Sequence, residues 1–355
     1  MTATTYKKAV IFFLVLFAIF VSLNAVIWFG WTRKVLAPGH EVMVGDLSRL
    51  GYLPDMSCER KIRIDTLPRH HVPAHKYRGG SVDMVVIGDS FAAGGGGGND
   101  PFFQDHIASI QGLSVLNLPR YKEENQIQTV YLLLNTGYLD KIKPRFLLIE
   151  GVERDVEPVF GGRVDSKELV SLNDIATFYR QEHKEVVPEV GFINTGNFQF
   201  LLYAFLYHFS DHAYMSSAYQ RKMRTSLFTH PAGDMLLFYK DDINNIPLIN
   251  KNTVNKINGN LNALSLRLAA KGIKLYFMPA PDKYSLYQLY LIQKPSFDNV
   301  FELIRTLRKE YVFIDALEIL RQLISKGEKD VYYFDDTHWS SKASHAVFSA
   351  FRFEL

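Results

Sequence analysis

The chain has little cysteine, little net charge and almost no metal-ligand spacing, and each shortage excludes a class of function. One cysteine, Cys58, stands in 355 residues, so neither an internal disulfide nor a cysteine-based zinc site can form. No chemistry-bearing pattern surrounds it, and it reads as a buried or incidental thiol. The formal net charge is only +3, and Lys7, Lys8, Arg33 and Lys34 supply +4 within a first 34 residues that hold no acid, so residues 35–355 sum to −1. A near-neutral globular part lacks the electrostatic footprint of a nucleic-acid binder. Among the histidines only His208-x-x-x-His212 has ligand-like spacing, with no third ligand evident, and neither metal nor cofactor is expected. Repeats are absent. The one low-complexity tract, Gly94–Gly98, lacks the Lys-Ser/Thr ending of a phosphate-binding loop and the spacing of a dinucleotide fingerprint.

Long apolar runs are equally scarce, with one exception. Ala9 to Trp31 carries no charge and as a helix would span about 34 Å, enough to cross a hydrocarbon core of about 30 Å. Trp28 and Trp31 close the run, where amphipathic rings favour the membrane interface. A cleaved signal peptide would have a shorter core and a small-x-small site. Residues 1–34 are therefore read as a tail and an uncleaved transmembrane anchor. Cations flank both ends, and the short tail favours a cytoplasmic N-terminus with the following domain facing the periplasm or cell exterior. The aromatic stretch 198–207 (FQFLLYAFLY) is too short to span a bilayer and reads as a buried helix or a docking surface.

Beyond the anchor, residues 35–80 mix Pro, Gly and charge and read as a linker or wrap. From 81 to 355 short β-rich runs alternate with helical stretches. Val82–Ile87, Leu113–Leu118, Arg145–Glu150, Lys274–Met278 and Tyr311–Asp315 are the expected strands, and helices are expected at 123–139, 255–271 and 297–309. The alternation implies an α/β fold, a three-layer α/β/α sandwich around a parallel sheet. Residues 152–253 break the pattern and read as an insertion, partly helical around 167–183 and 198–224.

Two motifs carry chemistry. Gly88-Asp89-Ser90-Phe91 follows the first strand, and a serine at the carboxyl end of a strand projects into the crevice where open α/β sheets hold ligands. Such a hydroxyl needs a base. Asp335-Asp336-Thr337-His338-Trp339 lies just before an apolar-periodic helix, so a carboxylate can hold one imidazole nitrogen while the other takes a proton from Ser90. Lys283 and Tyr287 share a helix face after Pro281, and Glu153-Arg154 follows the third expected strand.

These blocks together resemble the SGNH (GDSL) superfamily, a flavodoxin-like α/β fold. They are closest to the branch of the alginate O-acetylation proteins, whose mark is an Asp-x-His-Trp block. Ile149-Glu150-Gly151-Val152-Glu153-Arg154 is similar to that branch's Glu-x-x-Glu-Arg strand end, and Met278-Pro279-Ala280-Pro281-Asp282-Lys283 to its Pro-x-Pro-x-Lys block. The resemblance covers roughly residues 80–160 and 270–355. It implies a serine O-acetyltransferase with Ser90 as nucleophile, His338 as base and Asp336 as the orienting acid. Asp335 is the alternative acid, since it matches the Asp-x-x-His spacing of other SGNH hydrolases. A polysaccharide acceptor is implied, as is a multi-pass membrane O-acyltransferase that relays the acyl group. Three features depart from the pattern. The serine block precedes the histidine block, reversing the order of the alginate proteins. The second-block glycine is missing from Asn117-Leu118-Pro119-Arg120, where Pro119 has no N–H to donate. The third block's Gly-x-Asn-Asp is replaced by Gly151-Val152-Glu153-Arg154. The Ser90 backbone N–H, Asn117, Arg120 and Arg154 are the remaining candidates for oxyanion or substrate contacts. An acetyl-esterase and a catalytically inactive assembly protein for polysaccharide export are the alternative functions.

Overall fold

Met84–Ile87, Val115–Leu118 and Phe146–Val152 are nearly all buried and, Asn117 and Glu150 apart, carry no polar side chain on either face. Strands of that kind belong in a parallel sheet covered by helices on each side. The computed structural model, which describes residues 3–38, 42–64, 66–183, 190–293 and 299–354, contains such a sheet.

Its elements in chain order begin with helix α1 (Ala3–Ile27), which continues through one π turn at Trp28–Thr32 into Arg33–Leu36. This is one helix long and apolar enough to cross a membrane. Then come α2 (Asp46–Gly51), β1 (Val72–Pro73), β2 (Met84–Ile87), α3 (Phe103–Gln111), β3 (Val115–Leu118), α4 (Gln126–Asn135) and β4 (Phe146–Val152). The insertion holds α5 (Leu172–Arg180), α6 (Thr195–Leu206) and the hairpin β5 (Ala218–Lys222) and β6 (Met235–Tyr239). Helix α7 (Lys251–Ala269), β7 (Lys274–Ala280), α8 (Lys283–Tyr287), α9 (Val300–Arg305), β8 (Val312–Phe313), α10 (Ala316–Ser325) and α11 (Ser341–Ala350) complete the chain.

The six-stranded sheet runs β1-β3-β2-β4-β7-β8 with every pairing parallel. All five expected strands are in it. From β2 the chain moves to β3 on one side and then returns to β4 on the other. The carboxyl end of β2 is thus a point where the strand order reverses, and Ser90 follows it by three residues.

Two boundaries differ from the sequence reading. The sheet begins before residue 81, because Val72–Pro73, inside the expected linker or wrap, pairs with Leu116–Asn117 as an edge strand. A proline is admissible there, since an edge leaves one N–H side unpaired. Within the insertion, helix was expected through 224, but Ala218–Lys222 is a strand paired antiparallel with Met235–Tyr239. Its own residues (AYQRK) do not favour β, and the pairing with an apolar, aromatic partner strand imposes the conformation.

Candidate active site

The turn after β2 is fixed by two carboxyl groups. Asp89 accepts from the Phe91 N–H at 3.0 Å with one oxygen and from the Val152 N–H at 2.7 Å with the other, tying the turn to the end of β4. Glu150, fully buried on β4, accepts from the Asp89 N–H at 3.0 Å. Gly88 has to be glycine, because a Cβ there would lie 2.3 Å from the Glu150 carboxyl and 2.6 Å from Ala92. Burial and the charge of Asp89 push the Glu150 carboxyl well above the usual range.

The second half comes from the loop before α11. Tyr332 and Trp339 pair as an antiparallel bridge, and the Tyr333 N–H donates to the His338 carbonyl at 3.2 Å. This small hairpin aims His338 at the turn after β2. His338 Nε2 lies 2.8 Å from Ser90 Oγ, and Nδ1 lies 2.7 Å from Asp336 Oδ1. The same Asp336 oxygen accepts the His338 backbone N–H at 2.9 Å. The residues after the serine and the histidine lock the two halves: Phe91 packs on the His338 ring at 4.7 Å and edge-on against Trp339 at 5.0 Å.

Three side chains hold the acidic loop from outside it. Arg60 pairs with Asp335 and reaches Asp336 Oδ2 at 3.3 Å. Asp46, at the start of α2, accepts from the Thr337 N–H at 2.8 Å and hydroxyl at 2.5 Å, and its own N–H donates to Asp336 Oδ2 at 3.1 Å. Lys283, fully buried, donates from Nζ to the carbonyls of Tyr333, Phe334 and Asp336 at 2.7, 2.6 and 3.0 Å. The glycine tract closes the remaining side. A Cβ on Gly95 would sit 2.3 Å from His338 Nε2, and Gly96, Gly97 and Gly98 have positive φ. This tract is therefore a close-approach surface for the imidazole.

Asp336, not Asp335, is the carboxylate on His338. Asp335 faces the other way and accepts from the N–H groups of Gly45 at 2.9 Å and Cys58 at 2.7 Å, so its role as alternative acid is corrected. Asn117 and Arg120 line, with Ser90, a cleft of about 1000 Å³. Asn117 donates one amide hydrogen to the Ala92 carbonyl at 2.9 Å. Arg154 is not brought to the cleft, a second correction. It is paired with Asp282 at 2.8 Å and Asp242 at 3.3 Å and stacked on Tyr239, because a guanidinium buried at the strand end needs carboxylate partners there. His208 and His212 lie beyond the end of α6 and bond separately, to the Ala204 carbonyl and to Asp211. Among the described residues, the ligand-type cluster close enough to share an ion is Asp46, Asp336 and His338. Its atoms are engaged in the hydrogen bonds just given.

Residues 232–351 match the family model of an SGNH hydrolase-like domain, that of the acetyltransferase AlgX. That segment is similar to the SGNH-like domain of the AlgX branch. No curated protein and no solved structure matches the chain. The matched segment carries Lys283, Asp336 and His338, whereas Ser90, Asp46 and Arg60 lie before it. The sequence reading missed Asp46 and Arg60, which sit in the irregular stretch between the N-terminal helix and the sheet with no motif around them.

The SGNH-like site is electrostatically polarised. Burial works against an imidazolium at His338, but the hydrogen bond and charge of Asp336, joined by Asp46, hold its pKa above the ordinary value. Burial likewise opposes the Asp336 charge, yet His338 and Arg60 keep that carboxyl well below the usual range. Burial draws Lys283 down to about 8 against the pull of Asp335, Asp336, Asp46 and Asp242. Burial takes the Cys58 thiol up to about 11, with Asp335 adding to the rise, which makes it a poor thiolate.

Two predictions follow from this geometry. In histidine-labelled protein the His338 ring titrates above the free imidazole value of about 6.5. Asp336→Asn lowers that midpoint, as read by the NMR shift of the ring against pH. Lys283→Met strands the loop carbonyls, so unfolding by denaturant shows a loss of about 1–3 kcal/mol.

Proposed function

We propose that the chain is a membrane-anchored O-acyltransferase, acting outside the cytoplasm, that moves an acetyl group onto hydroxyls of a polysaccharide. The SGNH-like acetyltransferase match supports the reaction class. The observation that carries the mechanism is the hydrogen-bonded line from Asp336 through His338 to Ser90.

Ser90 Oγ attacks the acyl carbonyl while His338 Nε2 takes its proton, and Asp336 stabilises the imidazolium. The tetrahedral oxyanion needs donors about 3 Å away. Asn117 is the side chain best supported for this, because one amide hydrogen is left after its bond to Ala92 and the residue lines the same cleft as Ser90. The leaving group departs with the proton from His338, giving an acyl-Ser90 ester. A glycan hydroxyl then gives its proton to His338 and attacks the ester, and Ser90 leaves with that proton. Arg120 lies in the cleft as a contact for the acceptor. A multi-pass membrane O-acyltransferase supplies the acyl group across the inner membrane, to which the N-terminal helix anchors this chain with its domain facing the periplasm or exterior.

The test supplies an acetyl-ester donor with and without polysaccharide. Acetyl appearing on the glycan without excess free acetate supports transfer; release of acetate alone makes the protein an esterase. Ser90→Ala lowers the rate at least about 10³-fold with the fold intact; an unchanged rate sinks the serine mechanism. Because neutral His338 is the base and its pKa is raised, the rate falls as pH drops through that raised value. Asp336→Asn lowers the plateau by on the order of 10³–10⁴-fold and moves the acid limb to lower pH, as measured by the pH profile of kcat/KM.

A further inference from the structure

One helix of the insertion presents an apolar face that the transferase reading leaves unused. In α6, Phe198, Leu201, Leu202 and Phe205 fall at helical spacing and are each more than half exposed. Phe209, just beyond the helix, continues the same surface. The opposite side, with Asn197, Phe200 and Tyr203, is buried against the protein. No acid or base interrupts the face.

The position of α6 along α1 identifies what covers this face. Phe198 stacks on Phe20 with ring centroids 5.7 Å apart. Phe20 precedes Trp31 by eleven residues, a depth of about 16 Å along the helix. If Trp28 and Trp31 mark the interface of a core about 30 Å thick, Phe20 lies near its middle. Trp31 stacks on Phe200 at 5.5 Å and Phe29 meets Phe192 at 6.0 Å, so the contact extends from mid-span to the interface.

A polar clamp joins the two helices. The Asn24 amide donates to the Phe192 carbonyl at 3.0 Å, and Asn197 donates to Asn24 Oδ1 and to the Phe192 carbonyl, both at 2.8 Å. Thr32 donates to Asn197 Oδ1. An asparagine inside an apolar span is costly unless its amide is satisfied. Asn24 finds its partners in the α6 segment and is itself buried.

We propose that α6 is a second membrane-embedded element, lying in the outer half of the bilayer beside α1 with its Phe198–Phe205 face in lipid. The proposal rests on the reading of α1 as a membrane span. It also carries a consequence for the site. Tyr203 of α6 packs edge-on against Tyr52 at 5.4 Å, and a Cβ on Gly196 would come within 2.5 Å of the same ring. Tyr52 follows α2 directly, and Asp46 at the other end of α2 bonds Thr337 beside His338. The embedded helix and the acidic loop are thus separated by one helix of about 9 Å. Lipid contact at α6 fixes the height and tilt of the Ser90 cleft over the membrane.

The test uses the full chain in a Cys58→Ala background, reconstituted in phosphatidylethanolamine–phosphatidylglycerol vesicles. Spin labels are attached one at a time at Phe198→Cys, Leu201→Cys and Phe205→Cys, with Leu16→Cys in α1 and Leu266→Cys on the exposed side of α7 as references. Collision with oxygen several-fold above collision with a water-soluble nickel chelate is expected at all three α6 positions and at Leu16, with the reverse at Leu266. Chelate access at α6 while Leu16 remains in lipid overturns the proposal and leaves the anchor standing. Low access to both probes at α6 overturns it in favour of a protein-covered face. A Leu16 label in water overturns the proposal together with the anchor. Should one labelled variant fail to fold by circular dichroism, Leu202→Cys replaces it.

Discussion

Everything at the candidate site depends on keeping an acidic loop still around one imidazole. Asp335, Asp336 and Asp46 bring three carboxyl groups to the same few ångströms, with Arg60 and Lys283 as the cations between them. Left alone, buried like charges would either protonate or push the loop apart. The assignments resolve this in space. Arg60 takes Asp335 on one side, His338 takes Asp336 on the other, and burial with the neighbouring Asp336 charge raises Asp46. Among the described residues, Lys283 meets no carboxylate oxygen at hydrogen-bond distance. It binds three backbone carbonyls instead, so it shapes the loop while its charge still favours the ionised acids.

The Ser90 side is built on the opposite logic. There the groups are rigid because space has been removed. Gly88 lets Glu150 reach the Asp89 N–H, and Gly95 lets the His338 ring come down onto the serine turn. Burial and the neighbouring Asp89 charge hold the Glu150 carboxyl well above the usual range, which eases the repulsion between the two acids. The rings of Phe91 and Trp339, one from each motif, meet between the halves. Each motif therefore carries a polar residue for the chemistry and an aromatic one for the docking, which is why four-residue blocks far apart in sequence can form one site.

The sheet was legible because buried parallel strands have a signature that tertiary context cannot hide. Leu147, Leu148 and Ile149 are apolar on both faces wherever they sit. Ser90 and His338 were legible because strand end and helix start both place a residue at one edge. What stayed hidden is what depends on a distant partner. Ala218–Lys222 becomes a strand only through Met235–Tyr239. Arg154 looked free for a ligand because the carboxylates that bind it, Asp242 and Asp282, lie some 90 and 130 residues away. Asp46 and Arg60 are ordinary charged residues until the chain wraps back onto a loop almost 300 residues later.

That wrap gives the region between the N-terminal helix and the sheet a part in the candidate site. Residues 42–64 leave the end of the apolar helix and give Asp46 and Arg60 to the acidic loop before the first strand of the sheet forms. Met43 and Arg60 pair as an antiparallel bridge, which closes that segment on itself and fixes both residues against Asp335 and Asp336. A segment serving only as a spacer would tolerate any polar sequence of similar length. Here a change of register by one residue would move Asp46 off Thr337 and Arg60 off both carboxylates at once. The geometry of the imidazole is therefore coupled to this stretch, and replacing it with a flexible linker would remove the Asp46 and Arg60 contacts that hold Asp336 beside His338.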